Sequence, residues 1–159
     1  MNKKKIALIS AGGFIILLLI FVPKLIGPSH ESIAFLAFEN ITRWASLQVD
    51  YQSKHNKVGS LDDIGFGGYS DPYKLNNRCK EKDCFKFYGK FTPGIPAVGF
   101  GIKGSPGTSR FCAENNEDLG KCKAGNKWCV SMDDAGKLKV SEPEDKSCKK
   151  LTPNFSKLR

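Results

Sequence analysis

Six cysteines carry most of the chemistry this chain can be read for: Cys79, Cys84, Cys112, Cys122, Cys129 and Cys148. An even number, clustered between residues 79 and 148 of an exported domain, reads as three disulfides. Fifteen pairings are possible and spacing does not choose among them; Cys79–Cys84 would close a local loop around Lys80–Asp83. Zinc binding is the competing chemistry. It favours C-x₂₋₄-C pairs matched by a second pair or by histidines, and the chain has no C-x-x-C, while His30 and His55 lie far upstream. No metal or cofactor is therefore expected. A catalytic constellation needs a nucleophile, a base and an orienting acid. His30 stands at a helix start and His55 at a helix end, where a cation complements the helix dipole. Asp62-Asp63 and Asp133-Asp134 read as loop and turn residues. Gly65-x-Gly67-Gly68 neither follows a strand nor opens a helix, so it is no phosphate loop. The expectation is a protein without enzymatic activity. Exposed loop aromatics offer a binding chemistry instead: Phe66, Tyr69 and Tyr73 are candidates to stack on sugar rings, or to pack their loop onto the domain.

The elements that position these residues start with an anchor. Lys3-Lys4-Lys5 precedes an uncharged apolar run, Ile6–Val22, closed by Pro23-Lys24. As a helix, its 17 residues would span about 25 Å, near the roughly 30 Å of a hydrocarbon core. Leu25 and Ile26 can extend it. The lysines place the N-terminus in the cytoplasm. No A-x-A site or lipid-attachment cysteine follows, so the run reads as an uncleaved anchor rather than a removed signal. Residues 1–27 are then a cytoplasmic stub and single transmembrane helix in the cytoplasmic (inner) membrane. Residues 28–159 form one domain in the periplasm or at the cell surface.

The formal charge is +9, but it is not spread evenly. Lys3, Lys4, Lys5 and Lys24 flank the anchor, and Lys146, Lys149, Lys150, Lys157 and Arg159 crowd an acid-free C-terminal tail. The rest balances, which argues against a nucleic-acid-binding face. The tail is a solvated segment, or one that touches anionic lipid, polysaccharide or a partner protein.

A helix is predicted from about Ser29 to about Lys54, with Ser29 as N-cap. Ile33, Ala37, Ile41, Trp44, Leu47 and Tyr51 form its apolar stripe, and Glu39, Arg43, Gln48 and Asp50 fall largely off it. Ile33, Phe35 and Phe38, with Leu36, widen the apolar surface near the membrane. They are candidates for packing on the helix of another copy or a partner, or for contact with lipid headgroups or with the domain's own core. Pro23 and Gly27-Pro28 would kink a nearly continuous helix from Lys4 to Lys54. Strands are predicted over Phe85–Phe91, Ala97–Ile102, Trp128–Met132 and Lys137–Val140. Turns are read at Thr92–Ile95, Gly104–Thr108 and Asp133–Gly136, and residues 141–159 as mostly irregular. The fold class is α+β: a long N-terminal helix on a small antiparallel sheet of about four strands with disulfide-tied loops.

This layout resembles that of type IV pilins and pseudopilins. The stretch Phe21-Val22-Pro23-Lys24-Leu25-Ile26-Gly27 resembles the proline-marked step late in a pilin's hydrophobic segment. Residues Trp44–Tyr51, Lys57–Ser60 and Ile64–Phe66 look like a pilin-like helix exit and loop, and the hairpin with Trp128 and Asp134-Ala135-Gly136 is similar to late strands of that group. Pilins are cut between a glycine and an aromatic residue, with a glutamate four residues on. Here Gly13-Phe14 is followed at that distance by Leu18. The resemblance therefore implies a pilin-like structural protein that is not processed as a major subunit. Its expected role is an accessory component of a type IV pilus or type II secretion-like apparatus. Its expected partners are the lipid bilayer and other pilin-like subunits or assembly proteins. The alternative is an anchored surface module binding polysaccharide or protein on the same scaffold.

Overall fold

The computed structural model describes residues 29–66, 84–96 and 103–158. The anchor, Tyr69, Tyr73, Cys79 and the predicted strand Ala97–Ile102 lie outside the described residues. Among them, no helix is long and apolar enough to cross a membrane.

The chain is α+β. Helix α1 covers His30–His55. Its start is fixed by Ser29, whose Oγ accepts from the Ser32 N–H at 3.2 Å, and Glu31 lies in the first turn. Its end is fixed by Asn56 in the left-handed region (φ 51°), whose N–H donates to the Gln52 carbonyl at 2.8 Å. Among the described residues, four antiparallel strands follow in the spatial order β1-β2-β3-β4: β1 Phe85–Thr92, β2 Thr108–Asn115, β3 Lys127–Asp133 and β4 Leu138–Ser141. A short helix α2, Lys146–Lys149, and a 3-10 turn, Phe155–Lys157, complete the described chain.

The core lies between α1 and one face of the sheet. Ile33, Ala34, Ala37, Ile41, Trp44 and Ala45 meet Phe85, Phe111, Ala113, Trp128, Val130 and Met132 there. Trp44 stacks on Phe111 at 6.0 Å between centroids, and Phe111 stacks in turn on Phe87 at 6.0 Å. Such ring contacts add to the area these side chains bury. The C-terminal segment packs into the same core. Phe155 is fully buried and meets Phe38 edge-on at 6.0 Å, and the Trp128 indole N–H donates to Thr152 Oγ1 at 2.8 Å.

Two sequence expectations need correction. The strand following β1 among the described residues is Thr108–Asn115, which begins where a turn was expected. Its inward set is Ser109, Phe111, Ala113 and Asn115, so two polar residues hide its apolar alternation. Gln48, expected off the apolar stripe, is fully buried within it. The tail is mostly irregular, as expected; within it the Asp145 carboxylate caps α2 by accepting from the Ser147 N–H at 2.7 Å.

Two disulfides are described. Cys112–Cys129 joins directly opposed residues of β2 and β3, with Cα atoms 4.1 Å apart. By strand alternation it lies on the sheet face turned away from α1. Cys122–Cys148 ties the β2–β3 loop to α2 across 26 residues. Cys84 is also disulfide-bonded, so bonding rather than metal ligation accounts for every described cysteine. Among the described residues, no cluster of metal-ligating side chains occurs.

Candidate functional site

Three places on the domain hold residues with something to do beyond filling the core. The first is the exit of α1. Gln48 Nε2 donates to the Gly59 carbonyl at 2.8 Å and to Ser109 Oγ at 2.9 Å, and its Oε1 accepts from the Gly59 N–H at 3.1 Å. One buried amide thus pins the returning loop to both the helix and β2. Asp134 holds the same end of the sheet from the β3–β4 turn. Its carboxylate accepts from the N–H groups of Val58, at 2.8 Å, and Gly107, while its carbonyl accepts from Gln52 Nε2 at 3.0 Å. The turn that carries it ends in Gly136 (φ 76°), where a Cβ would lie 3.1 Å from Gln52 Oε1. Asp133 Oδ1 accepts from the N–H groups of Ala135 and Lys137. Both aspartates are thereby committed to holding backbone. Ser60 and Asp63 cap the intervening turn reciprocally: the Ser60 N–H donates to Asp63 Oδ2 at 2.9 Å and the Asp63 N–H to Ser60 Oγ at 3.2 Å. The Ser60 N–H and hydroxyl hold the Asp63 carboxyl below the usual carboxylate range.

Phe66, a candidate for stacking on a ligand, is buried and meets Phe111 edge-on at 5.0 Å. It packs the loop and offers no face to a sugar. Its companion candidates Tyr69 and Tyr73 fall outside the described residues.

The second place is the outer face of α1. Of the three residues expected to meet a partner, Ile33 is in the domain's own core and Phe38 is half-buried against Phe155. Phe35 is 54% exposed. Fourteen residues on, Val49 is 48% exposed, and the shallow groove between them is lined by Phe38, Glu39, Asn40, Thr42, Arg43 and Ser46.

The third place is the end of the domain where α1 begins. The β2–β3 loop is shaped by Asn115, whose Nδ2 donates to the carbonyls of Glu117 (2.9 Å) and Lys123 (2.8 Å) and whose Oδ1 accepts from the Asn126 N–H at 2.8 Å. Asp118 takes Lys123 Nζ at 2.7 Å and the Ala124 N–H at 2.9 Å. The lysine's hydrogen bond, then the amide, hold its carboxyl below the usual range. Leu119 and Cys122 pair through both backbone bonds, leaving Gly120-Lys121 as a tight turn. Gly120 has φ +64°, and a Cβ there would lie 3.2 Å from His30 Nδ1, so glycine answers both the backbone and the packing. Ser147 Oγ donates to the Lys121 carbonyl at 3.0 Å, and Cys122–Cys148 locks the same two segments. Between them and the start of α1 lies an open cleft of about 520 Å³, with Ser29, His30, Glu31, Lys121, Lys146 and Lys150 on its walls. Sequence reading had placed Lys146 and Lys150 in a basic tail but gave no sign that Lys121 joins them, because the disulfide partner of Cys148 was open.

No protein-family model, curated protein or solved structure matches this chain.

Proposed function

We propose that this is a membrane-anchored, pilin-like structural protein that serves as an accessory component of a type IV pilus or type II secretion-like apparatus. The observation that carries the reading is the disposition of α1. It is capped at Ser29, seven residues after the apolar run ends at Val22. One side is buried on an antiparallel sheet and the other keeps Phe35 and Val49 open. A 26-residue helix used on one side only is suited to lying against a neighbouring helix. The capped loop after α1 and the disulfide-tied sheet further support the pilin-like layout. The carboxylates of Asp63, Asp133 and Asp134 hold backbone N–H groups in their turns, a structural role that suits this reading.

Two measurements test this. The mass of the intact chain extracted from membranes should begin at Met1; a start beyond Gly27 refutes the anchor, and a start at Phe14 shows pilin-type processing. Phe35→Glu places a charge on the open helix face and should abolish co-purification with membrane partners without lowering the thermal midpoint. Undiminished association would remove that face from the argument.

A further inference from the structure

The three lysines on the cleft at the start of α1 come from separate parts of the chain: Lys121 from a two-residue turn, Lys146 and Lys150 from α2 and its end. All are exposed, and among the described residues none forms an ion pair within 4.0 Å. Glu31 is the carboxylate on the same walls, and His30 stands beside it. Three unpaired ammonium groups facing one open cleft form a site for an anion, since lysine binds phosphate as a point charge on a flexible stem. The cleft is braced rather than incidental: the Ser147–Lys121 hydrogen bond and Cys122–Cys148 hold its two basic walls together.

Chain length identifies the anion's source. The apolar run ends at Val22 and the cleft wall begins at Ser29. Seven residue steps reach at most about 25 Å even when fully extended. With Ile6–Val22 in the bilayer, the start of α1 cannot leave the vicinity of the membrane surface. We propose that this cleft seats the phosphates of anionic phospholipid headgroups and so holds the domain upright on the membrane that its anchor enters. The inference rests on the anchor reading. Lysine stems lie along the apolar boundary while their ammonium groups reach the phosphates, and each lysine near an anionic surface contributes roughly a five-fold preference for it.

The test uses the full chain in lipid nanodiscs made of phosphatidylcholine alone or with phosphatidylglycerol, read by amide hydrogen exchange. Exchange at 119–122 and 146–151 should slow only on the phosphatidylglycerol discs, by roughly five-fold for each lysine engaged. The effect should fade at high salt. Lys121→Gln/Lys146→Gln/Lys150→Gln, all exposed positions, should enter discs and melt like the parent yet lose the difference. Equal exchange on the two discs overturns the proposal. Equal slowing by inorganic phosphate on phosphatidylcholine discs also overturns it, and makes the cleft a free-phosphate site. A chain that stays out of the discs refutes the anchor separately; its exchange with phosphatidylglycerol vesicles then still decides the cleft.

Discussion

Replacing Gln48 with alanine tests whether the helix exit is held by one buried amide. The side chain is fully buried and makes three hydrogen bonds, two to the backbone of Gly59 and one to Ser109. Alanine would orphan the Gly59 N–H and carbonyl in a site closed to solvent. Each unsatisfied buried group costs about 1–3 kcal/mol. The Ser109 hydroxyl can rotate toward the Gly59 carbonyl and recover part of one bond. The lost side-chain volume adds a cavity cost, because closely packed surroundings relax only partly. The expected loss is about 3–5 kcal/mol, a large share of a small domain's stability. Gln52→Ala is the control. That side chain is half-buried and donates one described bond, to the Asp134 carbonyl at 3.0 Å, so about 0.5–1.5 kcal/mol is expected. Urea unfolding of the oxidised protein, followed by the fluorescence of the buried Trp44 and Trp128, reads both. Gln48→Leu separates the two causes: it restores volume but leaves Gly59 unpaired, so it should recover less than half of the loss. If Gln48→Ala costs no more than Gln52→Ala, water reaches Gly59 and the amide is not the latch described.

The two tryptophans differ in a way that phenylalanine substitution should expose. Among the described residues, Trp44 Nε1 is buried without a hydrogen-bond partner, whereas Trp128 Nε1 donates to Thr152. Trp44→Phe should therefore cost at least about 1 kcal/mol less than Trp128→Phe in urea unfolding, and equal costs would contradict the pairing. Cys122→Ser/Cys148→Ser opens a 26-residue loop and should lower stability by about 3.5 kcal/mol on the chain-entropy account. Hydrogen exchange should also show the 119–122 turn loosened before the sheet; a turn as protected as in the parent would mean that its backbone bonds alone suffice. The Ser147 hydroxyl, then its N–H, hold the Asp145 carboxyl below the usual carboxylate range. A depressed folded-state value contributes stability that is present above the unfolded value and lost as pH falls through the folded one. Carboxyl NMR should find Asp145 titrating below about 3.9, with α2 fraying only in more acid solution; an ordinary titration refutes the cap.

How far the sequence carried depended on whether an element's inward residues were apolar. Helix α1 was legible nearly to the residue, because Ser29 and the spacing from Ile33 to Tyr51 are local signals. The β3–β4 hairpin was legible for the same reason, with Asp133–Gly136 marking its turn. Strand β2 was not, since Ser109 and Asn115 face inward. Their burial makes sense only once partners satisfy them: Gln48, 61 residues before Ser109, and for Asn115 the folded-back β2–β3 loop that follows it. Gln48 was misplaced by the same logic: a glutamine on a helix reads as solvent-facing until the backbone it must satisfy is known. The packing face of α1 was half legible. Ile33 and Phe38 could serve either a partner or the domain; the core takes in Ile33, and the C-terminal Phe155, more than a hundred residues away, covers Phe38.

The basic cleft extends that argument from folding to function. Lysine is the residue type least informative in isolation, because most lysines are simply solvated. Lys121 gains meaning from Cys122, Lys146 and Lys150 from Cys148, and the disulfide between them makes three scattered charges into one surface. The same bridge lies beside the start of α1, the point where the chain's apolar run ends seven residues earlier. A domain tethered by a single helix is free to tilt unless something besides the tether meets the membrane. On the proposed anchor, charge collected at that end would supply a second contact, and its strength would vary with lipid composition and salt, as that of the anchor would not. The domain's orientation, and with it the direction in which Phe35 faces a neighbour, would then depend on lipid charge. Co-purification with partners should accordingly weaken in the triple lysine variant although Phe35 is untouched. If Phe35→Glu breaks association and the lysine variant leaves it intact, the helix face acts without help from the membrane surface.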